Sequence, residues 1–135
     1  MFLDDLWDAL SSAGATSGGF EMFKTLMPDS PDQVIALFET GGGPPVHAMN
    51  AGPGTAVVER PHVAVWTRAA IPTTARKKAQ DVFFSLDALG DKTINGVRYL
   101  SVFALQSPFL LQRDETSRPI YVTNFEVVRE PATSS

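Results

Sequence analysis

The chain has 135 residues, a length typical of one compact domain, and we expect residues 1–135 to fold as a single unit. Its net charge is -4 and its basic residues cluster only at Arg76-Lys77-Lys78, which argues against a nucleic-acid-binding protein. The chain lacks cysteine, which excludes disulfides and thiolate chemistry, and its acidic start and short apolar runs suggest a soluble protein kept inside a cell.

The N-terminal residues predict an amphipathic helix over residues 2–13. At about 100° per residue, the apolar side chains fill one arc and the polar side chains fill the other. The apolar arc holds Phe2, Leu3, Leu6, Trp7, Ala9, Leu10 and Ala13, and the polar arc holds Asp4, Asp5, Asp8, Ser11 and Ser12. We therefore expect this helix to pack on the rest of the chain through its apolar arc.

Three strands and a second helix follow. Residues 20–27 alternate as a strand does, "PDSPD" forms a turn, and "QVIALFET" predicts a strand buried on both faces. Residues 62–69 predict the next strand, which Pro61 precedes. A helix is expected from Thr73 or Thr74 to Leu89, with Gly90 at its C-terminal end. Its apolar stripe consists of Ala75, Ala79, Val82, Phe83, Leu86 and Leu89.

The C-terminal third predicts two hairpins. Asn95-Gly96 is a strong turn signal between "KTI" and a long strand, "VRYLSVFALQ". A second hairpin has its polar tip at residues 114–118 and a final strand at residues 120–129. The order of elements predicts an α+β fold, with a mixed, mostly antiparallel sheet and two helices on one face.

The sequence carries little sign of catalytic or cofactor chemistry. Gly41-Gly42-Gly43 could suggest a phosphate loop, but two prolines follow it and no Gly-Lys-Ser/Thr motif is present. His47 and His62 lack a carboxylate at metal-ligand spacing, and no nucleophile-elbow motif supports a Ser-His-Asp site. We expect no enzyme activity, no catalytic residues, no metal and no cofactor.

Three surface features suggest a partner. Phe84 lies opposite the apolar stripe of the second helix, where it is either an interface residue or a lone exposed aromatic. Residues 41–54 form a long predicted loop without charge, which either orders against another subunit or is a flexible connection. The hairpin tip, Arg113 to Arg118, would project from the body as a contact or as a solvated turn.

The sequence also resembles a known family. "MPDSPDQVIALFETGGGPPVHAM", then "VERPHVAVWTRA", an Ala-rich helix and "RPIYVTNFEVVRE" are similar in content and order to phage minor capsid proteins of the tail-terminator or tail-completion kind. The resemblance covers about residues 27–129. Its individual pieces are common, and the ordered set carries the likeness.

The resemblance implies a structural virion protein without catalytic residues. Such proteins form a hexameric ring that caps the tail tube and joins it to the head connector, while DNA passes through the lumen without specific binding. The expected partners are copies of this chain, the tail tube protein and the head-tail connector protein. The expected location is the tail-neck region of the virion, after assembly in the host cytoplasm.

The same resemblance implies that loops and sheet edges make the contacts. The residues that it assigns to the subunit or tube interface are Glu39, Thr40, Gly41, Gly42 and Gly43, and more loosely Arg113, Asp114 and Glu115 at the hairpin tip. The alternatives are a head-completion or stopper protein of the connector, a small ligand-binding or enzymatic α+β domain, and a host-directed toxin or adaptor.

Overall fold

A computed structural model describes residues 2–46, 58–87, 89 and 92–130. The chain forms two helices and seven strands. In chain order they are α1 (Phe2–Ser12), β1 (Glu21–Lys24), β2 (Val34–Val46), β3 (Val58–Arg68), α2 (Pro72–Asp87), β4 (Lys92–Ile94), β5 (Val97–Ala104), β6 (Phe109–Arg113) and β7 (Pro119–Arg129).

The strands form one sheet in the order β1-β2-β3-β7-β5-β4, and β6 also pairs with β7. The β1–β2 pair is parallel, and the other described pairs are antiparallel. The expected mixed, mostly antiparallel sheet with two helices is therefore confirmed. Strands β5 and β6 run in the same direction along one edge of β7, so they form a single interrupted strand.

The apolar arc of α1 enters the core as predicted. Leu3, Leu6 and Leu10 are fully buried, and they join side chains of α2 and of the sheet in one hydrophobic cluster. The polar arc differs from the prediction at Asp5, which is buried. The carboxylate of Asp5 accepts hydrogen bonds from the Tyr99 hydroxyl and the side-chain amide of Asn95, because α1 packs beside the β4–β5 hairpin.

The second helix begins earlier than the sequence indicated. It starts at Pro72 rather than at Thr73 or Thr74, since the fixed φ of proline suits the first helical position. Four residues of the predicted stripe are buried, namely Ala75, Ala79, Val82 and Leu86. Lys78 is buried as well, because its ammonium group donates to the Ser17 carbonyl oxygen and lies over the Phe20 ring.

The predicted loop from Gly41 is wrong over its first six residues, because β2 continues to Val46. The continuation has a partner, since β3 begins at Val58, four residues before the predicted start, and Pro61 lies inside the strand opposite Gly42. The pairing is irregular on both sides of residues 41–43. The rest of the predicted loop, residues 47–54, lies outside the described residues.

Glycine at position 42 has a packing reason. A Cβ atom there would lie 2.5 Å from the Arg60 carbonyl oxygen and 2.8 Å from the Pro61 Cα atom, both in the backbone of β3. No side chain fits at that distance without moving one of the two strands. Gly41 has a φ of +106°, a conformation that favours glycine, next to the register shift.

Both predicted hairpins are present. Asn95 and Gly96 have positive φ angles of 50° and 81°, as a two-residue hairpin turn of type I′ requires. Strands β6 and β7 form the second hairpin, with a register shift between Leu110 and Gln112.

Candidate assembly surfaces

The tip of the β6–β7 hairpin is tied together by one carboxylate. The Asp114 Oδ1 atom accepts hydrogen bonds from the backbone N–H groups of Thr116, at 3.1 Å, and Arg118, at 2.9 Å. Its Oδ2 atom accepts from the Arg118 Nε atom at 2.8 Å. The tip is therefore an ordered turn whose carboxylate faces inward.

Arg118 joins this tip to the "PDSPD" turn that precedes β2. Its guanidinium donates to the Asp29 carbonyl oxygen at 2.6 Å and to the Asp32 carboxylate at 2.9 Å. Arg118 is buried, although it follows a charged turn in the sequence. The prediction that the tip projects from the body is therefore wrong at Asp114 and Arg118, because these side chains bind their own chain. Arg113 and Glu115 are exposed.

Arg68, at the end of β3, completes the same corner. Only 2% of its surface is exposed. Its guanidinium donates to the carbonyl oxygens of Pro28, at 2.6 Å, Pro31, at 2.7 Å, and Asp32, at 3.2 Å. These bonds pair the buried guanidinium, which would be costly to leave without acceptors, with the backbone of the turn. We call Arg68, Arg118, Asp32 and Asp114 the arginine corner.

The charges of the arginine corner alter one another. Burial lowers the pKa of Arg68, and the nearby Arg118 charge adds to this effect. Burial alone would raise the pKa of Asp114, but hydrogen bonds from Arg118 and Thr116 outweigh it, so the pKa lies below its usual range. The Asp114 carboxylate is thereby held in its charged form.

A cleft of about 690 Å³ adjoins the arginine corner, and Trp66, Met27 and Ile120 also line it. The two guanidinium groups bind carbonyl and carboxylate oxygens of the same chain. The polar groups of this cleft are thus already bound to one another. The arrangement favours a structural role over a ligand site. Among the described residues, no group of three or more His, Asp or Glu side chains is placed to hold a metal ion.

An apolar strip runs along β5 and β6, a surface that the sequence pattern did not predict. All five residues of β6 are exposed. The large apolar side chains of the strip are 38–48% exposed, and they are Phe103, Leu105, Phe109, Leu110 and Leu111. We call these five residues the apolar strip.

A sequence signal for this strip exists. No Asp, Glu, Lys or Arg occurs between Arg98 and Arg113. That signal is ambiguous, because an uncharged run is equally typical of a strand buried on both faces. Unprotected apolar strand edges are unusual in monomers and commonly mark contact surfaces.

Phe84 is exposed, as predicted. It lies on α2 with 66% of its surface exposed, and its ring packs edge-on against Phe83 at 5.3 Å between ring centres. The groove beside it has a volume of about 290 Å³ and includes Ala13, Gly14 and Ala15 in its lining.

The residues after the buried part of β2 lie apart from the apolar strip in the strand order. Glu39, Thr40, Gly41 and Gly42 are exposed, and Gly43 pairs with Arg60 in the ladder with β3. Strands β3 and β7 separate this part of β2 from β5. The predicted interface residues therefore belong to three separate regions: the end of β2, the exposed side of α2 and the hairpin tip.

His62 contacts a carboxylate of the neighbouring strand. Its Nε2 atom lies 3.0 Å from the Glu126 Oε1 atom, in a pair that joins β3 to β7. His47 lies outside the described residues. In the described part of the chain, no helix is long and apolar enough to cross a membrane.

Two solved structures have a similar fold. A chain described as "Virion of native gene transfer agent (GTA) particle" is 18% identical, with a TM-score of 0.60 over 95% of this chain and 93% of that chain. A second structure is 14% identical, with a TM-score of 0.58 over 98% of this chain and 96% of that chain. Because both identities are low, these likenesses define the fold class, an α+β subunit that a virion also uses.

The sequence itself identifies the family. The profile of the family described as "Bacteriophage tail terminator protein" matches residues 9–131. The chain therefore belongs to the bacteriophage tail terminator family, whose members are structural phage tail proteins. No curated protein sequence matches it.

Proposed function

We propose that this protein terminates a phage tail. Copies of the chain form a ring, expected to be a homo-hexamer, that caps the tail tube and joins it to the head-tail connector. Membership of the tail terminator family supports this role, and so does the fold that the chain shares with a gene transfer agent virion. The location that follows is the tail-neck region of the virion, after assembly in the host cytoplasm.

The observation that carries the proposal is the apolar strip. A family member that exposes five large apolar side chains along an uncharged run of the chain has a surface that water solvates poorly. Contact with another protein subunit removes this surface from water. We expect the strip to be covered in the assembled particle.

Further contacts are proposed for the surfaces that the sequence indicated. Glu39, Thr40 and the glycines Gly41 to Gly43 would contact a neighbouring subunit or the tube, as would Phe84. At the hairpin tip, Arg113 and Glu115 have exposed side chains for this purpose. Asp114 would act indirectly, since its carboxylate holds the tip in shape.

The charge of the chain suits a passage for DNA. With a net charge of -4, a lumen formed by these subunits would not retain the phosphate backbone, provided that acidic side chains line it. We propose no catalytic activity and no cofactor, because polar groups of the cleft beside the arginine corner bind one another.

The architecture of the subunit follows the same proposal. We infer that residues 1–135 form one domain and that both helices lie on the same face of the sheet. Support comes from the shared core, in which Leu6 of α1 and Val82 of α2 belong to the same cluster as Ile35, Val65 and Phe125 of the sheet.

Two experiments test the proposal, one on the purified protein and one on phage particles. Negative-stain electron microscopy of the purified protein should show rings with a central hole. Phage particles made without the functional gene should carry overlong tails or lack heads on their tails. Normal tail length combined with heads that fail to join would instead support the stopper alternative, and normal particles would contradict both roles.

A further inference from the structure

The sheet has two open strand edges, one at each end of a row of paired residues. In one row of the sheet, the paired residues are Phe23 in β1, Ala36 in β2, Trp66 in β3, Val122 in β7 and Phe109 in β6. Within the described part of the chain, β1 pairs only with β2, and β6 pairs only with β7. The outer sides of β1 and β6 are therefore the two ends of this row.

The rest of the edge next to β6 is covered. Strand β4 pairs with the first residues of β5. Beyond them, the backbone N–H of Val102 donates to the Leu89 carbonyl oxygen at 3.3 Å, and that of Ala104 donates to the Asp87 carboxylate at 2.9 Å. The end of α2 thus protects β5, while β6 receives no such cover among the described residues.

On both open edges, charged side chains occur only at the ends of the strand, and on β1 they are Glu21, which is exposed, and Lys24. On β6, only Arg113 is charged, and it lies at the end of the strand. On β1, the ammonium group of Lys24 is directed at α1, where it pairs with the Asp4 carboxylate and lies 5.3 Å from the centre of the Trp7 ring. A lysine that points outward would discourage strand addition, whereas this one is engaged within its own chain.

We propose that β6 of one copy pairs with β1 of the next copy, so that the sheet continues from subunit to subunit. The strand directions favour this contact. Because β1 is parallel to β2 and each later step across to β6 is antiparallel, β1 and β6 run in opposite directions. A sheet that continues across the interface therefore joins them as an antiparallel pair, with backbone hydrogen bonds on both edges.

The side chains fix a register for this pair. Phe23 and Phe109 belong to one row, and Met22 and Leu110 belong to the adjacent row, on the opposite face. Placing Phe23 beside Phe109 also places Met22 beside Leu110, so apolar groups meet on both faces. A shift of one residue would place Phe23 beside Leu110, which lie on opposite faces of the continued sheet, so the pleat disfavours it.

The contact uses two different surfaces of each copy. Such a heterologous contact leaves one free edge at each end of a growing chain of subunits, until rotation closes it into a ring. The inference rests on the proposed ring and names the strands that form it. Open filaments, rather than rings, would result if the rotation did not close.

Cysteine pairs test the contact directly, because the natural chain has no cysteine. Phe23→Cys and Phe109→Cys are prepared as separate variants and mixed under mild oxidation at millimolar concentration. We expect a disulfide-linked dimer that forms at least about tenfold faster in the mixture than in either variant alone. Mixing Phe109→Cys with Ile71→Cys is the control, since Ile71 is exposed elsewhere on the surface.

Each other result has a defined meaning. Equally fast cross-linking of Phe109→Cys with itself would overturn the proposal in favour of a two-fold contact between β6 strands. Absence of the mixed dimer would also overturn it, whether or not rings are present. Rings without the cross-link would leave the proposed function standing. Cross-linked filaments without rings would support the strand contact and contradict the ring.

Discussion

The arginine corner and the apolar strip meet at the same hairpin. They differ in whether their side chains have partners within the chain. At the corner, the Arg68 and Arg118 guanidinium groups bind six oxygen acceptors of the same chain, counting three on each. Along the strip, five large apolar side chains remain exposed. Charged residues that look available in the sequence thus bind groups of their own chain, whereas an uncharged apolar run remains exposed.

The comparison predicts that the two regions respond differently to substitution. Changes in the arginine corner should lower the stability of the subunit. Changes in the apolar strip should leave the subunit stable and weaken its assembly, because we propose that the strip contacts another copy.

Arg68→Met should have the largest effect on stability. The variant leaves the carbonyl oxygens of Pro28, Pro31 and Asp32 without their buried donor, so we expect the free energy of unfolding to fall by about 3 kcal/mol or more. Urea denaturation measures this loss. Arg113→Met, in the exposed part of the same hairpin, is the control and should change stability by less than about 0.5 kcal/mol. Equal effects of the two variants would contradict the conclusion that the arginine corner stabilises the subunit.

Asp114→Asn should cost about 1–2 kcal/mol, since it keeps an oxygen for the backbone N–H groups but loses the charge that binds Arg118. The pKa of Asp114 is lowered by folding, so the charge stabilises the protein above the unfolded pKa of about 3.9. This contribution disappears as the pH falls through the folded pKa. The difference between the variant and the natural protein should therefore shrink below about pH 4 in thermal unfolding. A difference in stability that persists in acid would show that altered hydrogen-bond geometry, and not the lost charge, destabilises the variant.

Leu110→Lys should weaken assembly without lowering the stability of the isolated subunit. Because Leu110 is exposed on an edge strand, we expect the free energy of unfolding to change by less than about 0.5 kcal/mol. Assembly, measured by sedimentation velocity, should weaken at least about tenfold, which corresponds to about 1.4 kcal/mol. Ile71→Lys is the matched control for a charge placed on an exposed apolar residue. Unchanged assembly in Leu110→Lys would exclude the strip as a contact surface.

Phe84→Ser should have the smallest effect on the isolated subunit. With 66% of Phe84 exposed, its replacement should alter the free energy of unfolding by less than about 0.5 kcal/mol. Particle assembly should decline if a neighbour covers this ring. A loss of several kcal/mol in the isolated subunit would instead show that Phe84 stabilises the fold through its contact with Phe83.

The sequence by itself determined the elements whose signals are local. The apolar arc of α1, the stripe of α2 and the Asn95-Gly96 turn all depend on residues within a few positions of one another. These predictions are confirmed by the buried Leu3, Leu6 and Leu10 and by the positive φ angles of the turn. The family likeness also came from an ordered set of short segments, and the profile match confirms it.

Only the tertiary structure decided which side chains find partners within the chain and which remain exposed. Arg118 is buried because Asp29 and Asp32, more than 80 positions away in the sequence, supply oxygen acceptors. The glycines at positions 41–43 belong to β2 because β3 lies beside them and supplies their pairing partners. Conversely, β6 is exposed although it is largely apolar, since within the described residues its only strand partner is β7. Burial depends on what lies next to a residue in space, and composition alone does not specify those neighbours.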